Sequence, residues 1–193
     1  ITDEETFSPQ LVAHRPGMTE VRCGVHAGLV FVNMDGKAPP LADWIGLPKG
    51  YLEAYQIDRM HAVRHVRSTW NANWKVGVDS FYETYHLPHI HPQTQGVMED
   101  YSQYDLYPNG FSRMIVPICN ASHRVGEQKA INPGQAYMMR EAGMNPDEFK
   151  GSPAEVRAAV QKAKRARAKR LGLDHYDAFT DGQLTDSWAT GLF

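Results

Sequence analysis

The stretch DSFYETYHLPHIHP, residues 79–92, gathers two carboxylates and three imidazoles within fourteen positions. Asp79, Glu83 and His86 are spaced four and three apart, which places them on one face if the segment is helical. Val76, Val78, Phe81 and Tyr85 lie among them, and a helix along a core is expected. Two acids and an imidazole are costly to bury unless their charge is compensated, and a divalent cation compensates it. Pro88 and Pro92 are expected to break that helix and free His91 to swing back toward His86. Two imidazoles at H-x4-H suit iron, zinc or copper rather than magnesium or calcium. A zinc protease of the HExxH kind is excluded, because Leu87 follows His86. His89 sits between the candidate ligands and is expected to point away or to line the pocket. His14, His26, His61, His65, His123 and His175 are read as surface or satisfied core histidines.

The elements that must position this cluster read as mixed. EVRCGVHAGLVFVNMD gives two strands around a Gly24–Gly28 bend, and GKAPPLADWIGLPKG is punctuated like a linker. MHAVRHVRSTW alternates as a strand does, and YSQYDLYPNGFSRMIVPI is a hairpin turning at PNG. The later half is helical. Asn145-Pro146 is a cap and first-turn pair, and Ser152, Pro153 and Glu155 form a capping box ahead of a helix ending near Gly172. The expected class is α+β: an antiparallel sheet with helices laid on it.

Composition narrows the function. A chain 42% hydrophobic and 22% charged has room for a core, and a formal net charge of −2 gives no overall attraction to nucleic acid or anionic membrane. From Lys162 to Arg170, six of nine residues are basic, but no aromatics interleave as single-stranded nucleic acid would require. This helix, with a shallow stripe of Val156, Ala159, Val160 and Ala163, is expected to be solvated and to rest lightly on the body. Docking of an acidic redox partner is its other use. Cys23 and Cys119 form no CxxC pair and fit a reducing compartment, hence the cytoplasm. No apolar run approaches a membrane span. The chain starts at Ile1 rather than Met and stops at DSWATGLF, so a longer polypeptide is expected.

NWKVGVDSFYETYHLPHIHP resembles the iron-binding segment of the α subunits of Rieske non-haem iron ring-hydroxylating oxygenases. VRCGVHAGLVFVNMDGKAPPLADWIG likewise resembles the end of that family's Rieske domain and its lead into the catalytic domain. The likeness is close from about residue 15 to 120. It implies a helix-grip (START-like) fold, an antiparallel sheet with a long helix, in residues 43–193. Residues 1–42 would be the last strands of a Rieske-type β domain and a linker. By the same resemblance His86 and His91 are the two histidine ligands of a mononuclear Fe(II). Glu83 matches the acid, more often Asp, that bridges to the Rieske histidine of a neighbouring subunit, and Asp79 matches an acid at the start of the same helix. Phe81, Tyr82 and Leu87 would pack an aromatic substrate.

The family's CxH and CxxH cluster motifs are absent here, and Cys23-x2-His26 stands alone on a predicted strand. The resemblance therefore implies [2Fe-2S] ligands before Ile1 and a third, aspartate, iron ligand after Phe193, with Asp181 and Asp186 as in-chain candidates not favoured. Two histidines and one carboxylate would leave a face of Fe(II) open to O2, and a Rieske cluster would deliver electrons singly. The implied activity is di- or monohydroxylation of an aromatic or other apolar ring, with electrons from NAD(P)H through a ferredoxin, a reductase or both. The implied assembly is a homotrimer, alone or as α3β3 with small subunits. A non-catalytic helix-grip protein that binds a hydrophobic ligand is the alternative.

Overall fold

The computed structural model describes residues 3–14 and 17–191. Ile1 and Phe193, the ends from which a longer polypeptide is expected, lie outside the described residues. After a short helix α1 (Pro9–His14), strands β1 (Arg22–His26) and β2 (Leu29–Asn33) form an antiparallel hairpin, Val25 opposite Val30. Its two-residue turn is Ala27-Gly28, both at positive φ (49° and 82°), which matches the right-handed twist of the flanking strands. Gly24 is not part of the bend. It pairs with Phe31 and lies against Leu41.

The Pro/Gly segment that follows is more than a linker. Helix α2 (Leu41–Trp44) and residues to Tyr51 bring Leu47 and Leu52 against Phe111, with Ala27, Leu29 and Trp44 around them. This apolar cluster joins the first hairpin to the second, formed by β3 (Gln103–Leu106) and β4 (Ser112–Val116). The expected PNG turn is present, with Asn109 at φ 59°. β5 (Ser187–Gly191) pairs antiparallel with the far side of β4 to complete a three-stranded sheet ordered β3-β4-β5.

Between the hairpins lie α3 (Trp74–Phe81) and α4 (Leu87–Ile90). The strand expected over Met60–Trp70 does not form. That segment has no backbone pairing, and Met60, Val63 and Val66 stand exposed. Alternation specifies a face, but a strand also needs an edge to pair with, and among the described residues no edge comes beside it.

The helical half packs more firmly than expected. α5 (Pro133–Glu141) and α6 (Val156–Arg170) enclose a core of Cys119, Met139, Ala142, Val156 and Val160. Val156 and Val160 of the stripe expected to be shallow are 0% exposed. Three of the six basic side chains are tied to the body. Lys164 donates to Leu184 O (2.6 Å), Arg165 to Tyr176 O and Phe179 O (3.0 and 2.7 Å), and Arg167 to Glu141 O (2.8 Å). These three cations bond carbonyls at turns and helix ends, while Lys162, Lys169 and Arg170 stand exposed, so one part of the run is a scaffold and the rest the solvated face that was expected. The caps are as expected: Glu155 accepts from Ser152 N (2.7 Å), and Gly172 takes positive φ while Leu173 N reaches Ala168 O. α7 (Asp181–Thr185) then leads into β5. The architecture is α+β. Among the described residues, α6 packs chiefly on α7 and the turn at Asp174–Ala178, then on α5, rather than across the sheet.

Candidate metal centre

The helix that carries the acids is shorter than its periodicity suggests. It starts where Asn73 accepts from Lys75 N (3.0 Å) and ends at Phe81, so Asp79, Glu83 and His86 do not share a helical face. The reason is a competition for hydrogen bonds. In a continued helix His86 N–H would bond Tyr82 O. Instead Tyr82 O accepts from the Tyr104 hydroxyl (2.8 Å), and His86 N–H donates to Glu83 Oε2 (3.1 Å). Glu83 thereby starts the next turn, and α4 follows with Pro88 within its first turn, where a proline is tolerated. Pro88 does not break the helix, and the chain reverses without it. The His86 and His91 rings lie 5.3 Å apart, edge to face, at the two ends of α4.

The second carboxylate oxygen of Glu83, Oε1, bonds His86 Nδ1 closely. One carboxylate thus grips both the main chain and the ring of the same histidine. Desolvation opposes its ionisation, but these hydrogen bonds from His86 prevail and hold the Glu83 carboxyl below the ordinary Glu range. With Nδ1 engaged, Nε2 is the nitrogen left for a metal, the arrangement that fixes tautomer and ring orientation in histidine-metal centres.

Glu83, His86 and His91 line a cleft of about 490 Å³, together with Phe81, Leu87 and Ile90. Its other walls are Trp70, Ser80 and Thr84, and from the sheet side Met98, Met114, Val116 and Ser187. The lining is predominantly apolar. Of the residues singled out in the sequence, Phe81 and Leu87 line the cleft, while Asp79, exposed on α3, and Tyr82 do not. Tyr82 turns its hydroxyl to Ser112 (3.3 Å). Met114 and Val116 were not anticipated, yet the hairpin pattern held the signal, since alternate residues of a strand share a face. Glu83 also borders a second, more polar cleft of about 480 Å³, lined by Tyr85, His89, Tyr104 and Arg124.

Other candidate ligands are spoken for. Asp186 is nearly buried against Arg157 and accepts from Ile118 N (3.3 Å), and Asp181 accepts from Arg165 (2.8 Å). Cys23 and His26, three apart on β1, face opposite sides, and His26 Nε2 lies 3.5 Å from Glu53. Glu99, Asp100 and His123 bring ligand atoms within 4.8 Å of one another. There the Arg124 guanidinium already compensates Asp100, however, so a cation would meet an occupied carboxylate.

The sequence pattern described as ring hydroxylating alpha subunit (catalytic domain) matches residues 57–176, more than half of the chain, with Glu83, His86 and His91 inside the match. The chain belongs to that family, whose members in general carry non-haem iron and a Rieske cluster. The 2-aminobenzenesulfonate 2,3-dioxygenase subunit alpha of an Alcaligenes species is 29% identical over 161 residues, covering 76% of this chain. The glycine betaine monooxygenase oxygenase subunit of Chromohalobacter salexigens is 25% identical over 89 residues, 46% of this chain. The matches span 39% and 20% of the lengths of these relatives. No solved structure gives a significant match. No helix among the described residues is long and apolar enough to cross a membrane.

Proposed function

We propose that the chain is the catalytic part of the oxygenase component of a Rieske-type system, with His86 and His91 as ligands of a mononuclear Fe(II). The observation that carries this reading is the His86–His91 pair in the lining of an apolar cleft, with His86 oriented through Nδ1 by Glu83. The donor set fits the metal: two neutral imidazoles with free nitrogens suit iron, and a single further carboxylate would leave part of the coordination sphere open. Asp181 and Asp186 are held by arginines, in line with a third ligand supplied from beyond Phe193. Bound there, the iron supplies reductive activation of O2 toward hydroxylation.

The chain's own residues do the rest. Phe81, Leu87, Ile90, Met114 and Val116 offer an apolar wall to an aromatic or other apolar ring beside the histidines. Glu83 holds the His86 proton on Nδ1. Because it borders both clefts, it is also placed to accept a hydrogen bond from outside, and we assign it the bridge to a Rieske histidine of a neighbouring subunit. In this reading residues 1–42 end a Rieske domain, residues 43–193 open a helix-grip catalytic domain, and electrons arrive from NAD(P)H through a ferredoxin, a reductase or both. The subunits form a homotrimer, with or without small β subunits.

In the full-length protein, His86→Ala or His91→Ala is expected to remove the mononuclear iron and leave Rieske absorbance unchanged. Stoichiometric mononuclear iron in His86→Ala would refute the ligand assignment. Light scattering that returned a monomer with full turnover would refute the trimer.

A further inference from the structure

One buried polar network ties down both sides of the segment that carries the histidine pair, and we infer that Thr84, Gln95, Asp100 and Ser122 are positioning residues for it. The inference rests on the proposed role of His86 and His91. Thr84, two residues before His86, is 8% exposed, and its hydroxyl donates to Asp100 O (2.9 Å). The Asp100 side chain is 1% exposed, and its carboxylate accepts from Ser122 Oγ (2.9 Å) and from Arg124 Nε. Ser122, itself 1% exposed, donates its N–H to Gln95 O (2.7 Å). Gln95 Nε2 then donates to Pro88 O (3.0 Å), two residues after His86. The path Thr84–Asp100–Ser122–Gln95–Pro88 therefore closes around His86. Next to it, Thr94 Oγ1 donates to His91 O (2.8 Å) and anchors the second ligand from the same turn.

The arrangement is more than general packing. Glu83 sets the His86 ring only relative to its own backbone, since both its bonds end on the same residue. Within the segment α4's own hydrogen bonds link the two ligands (Ile90 N–H to His86 O, 2.8 Å; His91 N–H to Leu87 O, 3.0 Å), and the network holds that turn on the body through the Thr84 hydroxyl ahead of α4 and the Pro88 carbonyl within it. Ligand geometry is sensitive to shifts of about half an ångström, so loosening either anchor widens the spread of His86–His91 separations. Arg124 compensates Asp100, which makes this cluster a structural tie rather than a second metal site.

The test uses the full-length protein, with Fe(II) affinity read by chelator competition and the site read by electron paramagnetic resonance of its nitric oxide adduct. Thr84→Val keeps the shape and removes the hydroxyl. It is expected to weaken Fe(II) binding about ten- to a hundred-fold, the range for lost outer-shell partners, and to broaden the nitrosyl signal. Thr84→Ser restores the donor and should return both to near wild type, which a purely steric role would not predict. Gln95→Met removes one bond at a half-buried position and keeps the test decisive where Thr84→Val folds poorly. It is expected to broaden the signal in the same way. Wild-type affinity and line shape in both Thr84→Val and Gln95→Met, with iron lost in His86→Ala, would overturn the positioning role alone. Iron retained in His86→Ala would overturn the ligand reading and this inference together.

Discussion

Glu83 is the residue whose removal separates two roles. Its carboxylate accepts both the backbone N–H and Nδ1 of His86, so Glu83→Ala deletes two hydrogen bonds from one ligand while leaving the ligand in place. A hydrogen bond involving a charged group contributes about 1.5–3 kcal/mol. The Glu83 side chain is 38% exposed, and solvent screening brings the net effect on ring orientation toward ~1–2 kcal/mol. At about 1.4 kcal/mol per decade, Fe(II) affinity should fall by about ten-fold without loss of the site. Glu83→Gln has one acceptor for two donors. If its amide turns N–H toward Nδ1, it favours the tautomer with the proton on Nε2, which cannot bind metal, so its affinity should be no better than that of the alanine variant. Glu83→Asp withdraws the carboxylate by about one C–C bond, ~1.5 Å, and should be mildest. Chelator competition at pH 7 on the full-length protein measures the affinities. Single turnover with a pre-reduced cluster then measures electron delivery, which Glu83→Ala should abolish even when iron is saturating. Unchanged affinity in Glu83→Ala would refute the orienting role, and normal single-turnover yield would refute the bridge.

Two further outcomes follow from the scaffold. Desolvation raises the Asp100 pKa, but the Arg124 and Ser122 hydrogen bonds outweigh it and leave the carboxyl below its ordinary value of 3.8. Its contribution is therefore complete above the ordinary Asp range and lost as pH falls through the depressed folded value. Asp100→Asn should cost about 2 kcal/mol at pH 7 and flatten the acid limb of a stability–pH curve from denaturant titrations, and an unaltered acid limb would contradict this. At Gly46 an added Cβ would lie 2.0 Å from Pro108 O, backbone that cannot yield like a side chain, so Gly46→Ala should destabilise by about 1–3 kcal/mol. An unchanged melting temperature would show that the linker does not pack on the second hairpin.

The sequence by itself determined what short-range chemistry encodes. Gly28 and Asn109 mark hairpins because glycine and asparagine accept positive φ, and the Ser152 and Gly172 caps follow from groups within a few positions of each other. The types and spacing of His86 and His91 made them candidate metal ligands, and two motifs in order pointed to the family that the residue 57–176 match supports. Only the tertiary structure decided where α3 stops, because the hydroxyl that takes Tyr82 O comes from Tyr104, twenty-two residues away. It also decided that Met60–Trp70 stays unpaired, since strand pairing depends on an edge that no local pattern contains. Lys164 and Arg165 became ties to the body for the same reason: the carbonyls that they bond lie up to twenty residues downstream. Periodicity placed Asp79, Glu83 and His86 on one helical face. In the structure α3 stops at Phe81, before Glu83, and the Glu83 carboxylate bonds the backbone and ring of His86 from the turn that follows.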